Sequence, residues 1–156
     1  MRRILCATLA ASLPLSGCDL RDRDLPAPYR RLEVPAQRLA SPDFRNQGRL
    51  LYRRQCVLCH GDLGDGRGVR AAYLSPPPRD FTDATWQERN DDRHVYYAIA
   101  EGRRGTAMTP WKPTLSPGEI WSVVAYIRSR RPGAAGQAEA APERARPDSA
   151  GGGPGR

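Results

Sequence analysis

Cys56-Val57-Leu58-Cys59-His60 puts two thiols and an imidazole into five consecutive positions. Two cysteines separated by two residues, with histidine next, have the spacing of c-type haem attachment. Each sulfur adds to a vinyl group of the macrocycle, and the imidazole reaches the iron from one face. Three other chemistries use cysteines so spaced. A closed zinc site needs four ligands, and beyond these three only the distant His94 is available to complete it. A thioredoxin-like dithiol needs a strand–helix–strand context, whereas the flanking patterns are helical with no convincing strands. A plain disulfide leaves His60 and Met108 without a role.

A second axial ligand is expected downstream. The chain has two methionines, and Met1 departs with the leader described below, so Met108 is the remaining thioether. It stands in Gly105-Thr106-Ala107-Met108-Thr109-Pro110-Trp111, a turn-rich run able to lay a side chain over a ring. Its bland alternative is a gap-filling core methionine. His94, the rival ligand, falls in a helical pattern beside charged residues and is expected to be an exposed helix residue. Within Ser75-Pro76-Pro77-Pro78, the carbonyl of Pro76 or Pro77 is expected to accept the free ring N–H of His60, the contact that orients an imidazole ligand. The alternative is a rigid loop with no such contact. Arg79 is read either as a partner of a haem propionate or as a surface arginine. Trp111 is read either as packing at the haem edge or as a core tryptophan.

These residues must be positioned by helices. From Asn46 to Cys56, Gly48 and Tyr52 fall four apart on one helical face, followed by Cys56, so this helix leads directly into the attachment motif. A helix from about Asp91 to Glu101 has Asp91 as its cap, Val95 and Ile99 inward and Gly102 as its stop. Ser116-Pro117-Gly118-Glu119 forms a capping box with proline at the first helical position, and Pro132-Gly133 is expected to end the helix that follows. Ile120, Val123, Val124 and Ile127 share one face of it. Trp86 sits in a shorter helical turn. Gly61 to Gly68 superficially resembles a phosphate cradle, but it lacks the Gly-Lys-Ser/Thr ending and follows no strand, so a tight turn is expected.

Size and composition bound the rest. Of 156 residues, 42–132 hold both histidines and nearly all the aromatic side chains, enough for one small domain. The segment 133–156, rich in Ala, Gly and Pro and lacking aromatic and branched aliphatic residues, is expected to be a disordered tail. The length excludes a TIM barrel or a two-domain enzyme, and no apolar run is long enough for a spanning helix. Residues 1–17, with Arg2 and Arg3 before an apolar stretch, read as an export signal. Leu15-Ser16-Gly17-Cys18 resembles the bacterial lipobox, which implies cleavage before Cys18 and lipidation of its thiol. Asp19 resembles a signal for retention at the inner membrane. Residues 18–41, charged and interrupted by Pro26, Pro28 and Pro35, are expected to be a lipid-anchored tether. The expected location is therefore the periplasmic face of a bacterial membrane, the cytoplasmic membrane in particular. The formal charge of +8 favours an acidic protein surface or anionic lipid over nucleic acid in an exported protein, with ordinary solubilising charge as the alternative.

The ordered set of helix, CVLCHG, Gly-rich loop, single downstream methionine and C-terminal amphipathic helix resembles the class I cytochrome c family over roughly residues 44–131. CHGDLGDGRG, PPPRDFT and GTAMTPW look most like bacterial monohaem subunits and domains attached to respiratory membrane complexes. The resemblance implies a small all-α cytochrome c fold of about four helices around one covalent haem c. It implies Cys56 and Cys59 as attachment points, His60 and Met108 as axial ligands, and close contact of Gly48 and Tyr52 with the last helix near Tyr126. One departure is Thr109, where many relatives carry proline directly after the ligand methionine. The expected role is single-electron transfer in a respiratory chain with redox-protein partners, without small-molecule substrate or catalysis of its own. A haem peroxidase or a gas sensor with a displaceable Met108 is the alternative.

Overall fold

A computed structural model describes residues 25–133; the expected export signal, Cys18 and nearly all of the expected tail lie outside them. Among the described residues the fold is all helical, with seven α-helices: α1 (Ala27–Arg30), α2 (Ala36–Ala40), α3 (Pro42–Gln55), α4 (Val57–His60), α5 (Ala84–Arg89), α6 (Asp92–Glu101) and α7 (Pro117–Arg128). The expected small all-α architecture is observed. Its four anticipated helices are α3, α5, α6 and α7, and the other three are single turns.

Local chemistry explains the helix ends. Ser41 caps α3 through its hydroxyl with Pro42 at the first position, so the helix begins a turn earlier than the expected Asn46. Asp91 caps α6 by accepting from the His94 N–H, and Gly102, at φ 68°, ends it. The capping box of α7 is formed: Ser116 accepts from Glu119 N–H while its own N–H donates to Glu119 Oε2 at 2.8 Å. This helix stops at Arg128, before Pro132, where the Ser129 hydroxyl donates to Tyr126 O at 2.6 Å.

The principal packing is α3 across α7. Gly48 is buried at the crossing, where its bare Cα faces the backbone of Ser122 and Val123. Tyr52, fully buried, places its ring 4.9 Å from that of Tyr126. Every residue from Ile120 to Ile127 is buried, whereas the sequence pattern predicts one apolar face. Part of the difference comes from residues 25–41, where α2 packs on α7. Expected to be tether, they are docked chain instead: Leu25 is buried, and Tyr29, Leu32, Val34 and Leu39 pack on the core. Prolines break this segment into one-turn helices and so hide its apolar spacing from a periodicity test.

A polar knot ties α5, α6 and α7 together. Arg128 Nε donates to Asp92 Oδ1 at 2.6 Å, Nη1 to Gln87 Oε1 at 2.7 Å, and Nη2 to Asn90 O at 2.6 Å. Gln87, itself buried, donates to the carbonyls of Phe81 and Ile127 at 2.8 and 2.9 Å. Arg128→Ala strands these acceptors around a half-buried site and is expected to cost about 2 kcal/mol, short of the fully buried case. Thermal unfolding of the haem-loaded protein should show a fall of roughly 10 °C. Arg128→Lys should recover less than half of it, because an ammonium cannot make forked contacts. A loss below about 0.5 kcal/mol would mean that the knot contributes little.

Candidate haem site

The attachment motif is held from behind. The Tyr52 hydroxyl donates to Gly61 O at 2.8 Å, fixing the exit of α4 against α3. The glycine-rich segment is the expected tight turn. Gly61, Gly64 and Gly66 all have φ near 75°, and the Gly66 N–H returns to His60 O at 2.9 Å. Phe81 N–H donates to Gly64 O at 2.6 Å, drawing the stretch after the prolines onto this turn. A Cβ on Gly66 would lie 2.6 Å from Pro78 O, so the two strands of loop touch at backbone level.

That approach decides the partner of His60. Its Nδ1 lies 3.0 Å from Arg79 O. Neither Pro76 nor Pro77 supplies the expected carbonyl, because pairing of Phe81 with Gly64 brings the residues nearest Phe81 to the ring. A carbonyl only accepts, so Nδ1 carries the proton. Burial holds the ring pKa below its ordinary value, opposed by the Arg79 hydrogen bond, and the ring is neutral with the Nε2 lone pair free. Phe81 stacks on the imidazole at 4.5 Å and 17°. Sequence reasoning assigned no role to Phe81; the signal available was its scarcity, one of two phenylalanines, in the PPPRDFT run.

A cleft of about 340 Å³ opens over this motif. Cys56, Cys59, His60, Pro76, Pro77, Arg79, Met108 and Trp111 all line it, so every site residue predicted within the domain converges there. Cys18 lies outside the described residues. Trp86 and His94 line the cleft too. His94 was expected on an exposed face. It is largely covered instead, its Nδ1 2.8 Å from Asp91 Oδ1, since the capping carboxylate draws the ring back over the first turn. Met108 is carried by a loop whose shape is set by hydrogen bonds from Thr106 Oγ1 to Arg103 O (2.7 Å), from Arg103 N–H to Met108 O (2.9 Å) and from Trp111 N–H to Ile99 O (3.1 Å).

The donor set fits haem c. Two free thiols two residues apart, a neutral imidazole with an available Nε2 and a thioether share one largely apolar cleft. The rival chemistries fit poorly. Burial and the neighbouring Cys59 push the Cys56 thiol up to about 12, far from the thiolate that redox exchange needs. Among the described residues no three His, Cys, Asp or Glu side chains are grouped to hold a metal ion.

Fold and donor set together define a c-type cytochrome, an electron-transfer domain carrying a covalent haem c. Residues 44–127 match the family model described as cytochrome c oxidase, cbb3-type, subunit III, and the chain belongs to that family. It is similar to the cbb3-type cytochrome c oxidase subunit FixP of Bradyrhizobium diazoefficiens, 30% identical over 53% of this chain and 26% of the relative. It is also similar to a thiosulfate dehydrogenase of Stutzerimonas stutzeri, 28% identical over 53% of this chain and 26% of that protein. The chain thus spans about a quarter of the length of these relatives. Among solved structures it resembles the reducing HAO-like protein complex of Kuenenia stuttgartiensis, with 25% identity and a TM-score of 0.52 over 64% of this chain and 46% of that one.

Proposed function

We propose that the protein is a membrane-anchored monohaem cytochrome c that carries single electrons in a respiratory chain, as a subunit of a membrane oxidoreductase complex or as a shuttle to one. The observation that carries this reading is the meeting of His60, with Nε2 free, and Met108 in one cleft beside Cys56 and Cys59. Cys56 and Cys59 would hold the macrocycle covalently, and His60 and Met108 would ligate its iron. Bound there, haem would supply a one-electron ferrous/ferric couple. Imidazole–thioether ligation and burial both raise the reduction potential, which suits a carrier near the oxidising end of a chain.

This chain's own residues do the rest. Arg79 O holds the Nδ1 proton and so orients the imidazole, while Phe81 and Trp86 shield the site from water. The Arg79 guanidinium is exposed and available to a propionate. Beside the attachment motif, Leu58, Val69 and Tyr73 are exposed, and the Arg70 N–H bonds to Leu58 O at 2.8 Å, so these residues lie on adjoining backbone. With Arg67 and Arg70 next to them, they form an apolar patch with a basic rim, suited to brief docking of an acidic redox protein at rates that fall with salt.

No described helix is long and apolar enough to cross a membrane; the lipobox resemblance of Leu15-Ser16-Gly17-Cys18 supports attachment through a lipidated Cys18, on the periplasmic face of the cytoplasmic membrane. Leu25 is buried in the core, and the chain from Cys18 to it can reach at most about 25 Å. So short a leash favours a fixed place in a complex over a roaming shuttle.

Met108→Ala tests the reading. The variant should fold and keep its covalent haem, yet bind carbon monoxide rapidly when reduced, whereas the wild type should bind it only slowly, as methionine leaves. An unchanged spectrum would remove Met108 from the iron. Rapid carbon monoxide binding by the wild type would favour the gas-sensor or peroxidase alternative.

A further inference from the structure

The loop that carries Met108 leaves α6 at Gly102 and ends at Lys112, and one carboxylate joins its two ends. Glu101, the last residue of α6, receives Lys112 Nζ at 2.7 and 2.8 Å. The same carboxylate takes a third donor from outside the loop, the Tyr29 hydroxyl, on Oε1. Tyr29 belongs to α1, in the docked segment, and its ring is wedged against α6, 4.8 Å from Tyr97 edge-on and 6.3 Å from Tyr96. Arg93 Nε holds the same segment by donating to Leu32 O at 2.8 Å.

Helix α6 therefore has two occupied faces, as its 3.6-residue period allows. His94, Val95, Ala98 and Ile99 face the cleft. Arg93, Tyr96, Tyr97 and Glu101 hold the segment 25–34. The Met108 loop hangs from the end of this helix, and its outermost clasp is the chain of contacts Tyr29–Glu101–Lys112. A surface Glu–Lys pair alone holds a loop weakly, since solvent screens it and both side chains must be ordered; the Lys112 side chain is 55% exposed. The Tyr29 hydroxyl, carried on a ring already fixed between Tyr96 and Tyr97, changes that by immobilising the carboxylate before Lys112 arrives. Hydrogen bonds to an ionised acceptor are also stronger than neutral ones.

We propose that residues 25–34 are a positioning strap, in which Tyr29 acting through Glu101 keeps the Met108 loop closed over the cleft. The inference deepens the reading above and rests on Met108 being the second axial ligand. It makes the N-terminal segment part of the haem site at one remove, so a pull on the chain ahead of Leu25 would loosen the thioether.

Tyr29→Phe in the full-length haem-loaded protein tests this, because it keeps the ring and deletes only the donor. The Arg103 and Trp111 amides, whose hydrogen bonds close the loop, should exchange with solvent about five- to tenfold faster, the scale expected for losing one partly exposed hydrogen bond. Amides in the middle of α7 should keep their wild-type rates. Carbon monoxide binding to the reduced protein, which must wait for methionine to leave, should quicken by a similar factor. Glu101→Gln should act in the same direction, and the double variant should be little worse than the more affected single one, since both act on one clasp. Equal acceleration of loop and α7 amides would mark plain destabilisation and overturn the proposal, as would unchanged loop exchange. If Met108→Ala leaves iron ligation untouched, the ligand assignment falls and the proposal with it, whereas unchanged loop exchange with Met108 ligation intact sinks the strap alone.

Discussion

Gly48→Ala is expected to destabilise the haem-loaded protein by at least about 3 kcal/mol, lowering its melting temperature by roughly 15 °C. A Cβ at this position would fall within bonding range of the Ser122 carbonyl, and Val123 N lies 3.0 Å away. The obstacle is backbone, so no side chain can rotate aside, and α3 and α7 must separate along the main contact of the fold. Separation would also lift Tyr52 from Tyr126 and from Gly61, loosening the attachment motif it supports. Gly118→Ala is the control. It too lies in a helix, but a Cβ there meets only the Arg38 guanidinium at 4.0 Å, so the gain in helix propensity should leave stability unchanged or slightly improved. If both substitutions were equally mild, the crossing would not be as close as described.

The second large effect concerns the cofactor as a structural element. Cys56→Ser with Cys59→Ser should abolish covalent haem and leave a largely unfolded chain. The cleft over the motif is about 340 Å³ and adjoins Val95, Ile99 and Ile127 of the core. A closed cavity of that size would cost about 8 kcal/mol at roughly 24 cal/mol per Å³, and a cleft that opens to water costs a part of that. A domain this small has about 5–15 kcal/mol in total. Far-ultraviolet circular dichroism of the double variant should show most helical signal lost, and acid extraction should strip any haem it retains, whereas the wild type should keep both. A cooperative, fully helical apo domain would contradict the estimate and make the haem a guest rather than part of the core.

The features legible in the sequence are those whose cause is local. Ser116 and Glu119 are three apart, and their reciprocal hydrogen bonds need nothing beyond that spacing. Asp91 and Gly102 bracket α6 for the same reason. Gly48 and Tyr52 were readable as a packing face, with the resemblance to class I cytochromes implying their partner. What escaped had its cause elsewhere in the chain. His94 was expected to be exposed because its neighbours in sequence are charged, yet its covering comes from the Asp91 side chain and the walls of the cleft. The docking of Leu25 and Tyr29 depends on α6, whose Tyr96 and Tyr97 lie far along the chain.

By itself the sequence determined the chemistry: two thiols and an imidazole within five positions, a single methionine beyond Met1, and caps that start and stop the helices around them. Covalent spacing and hydrogen bonds between near neighbours hold whatever the rest of the chain does. Only the tertiary structure decided that Arg79 rather than Pro76 or Pro77 holds His60, that Phe81 stacks on it, and that the proline-broken segment after residue 24 is laid against α6. Each of these depends on two remote stretches meeting at a particular register. The free energy that selects the register is spread over the whole core, so no short window of residues contains it.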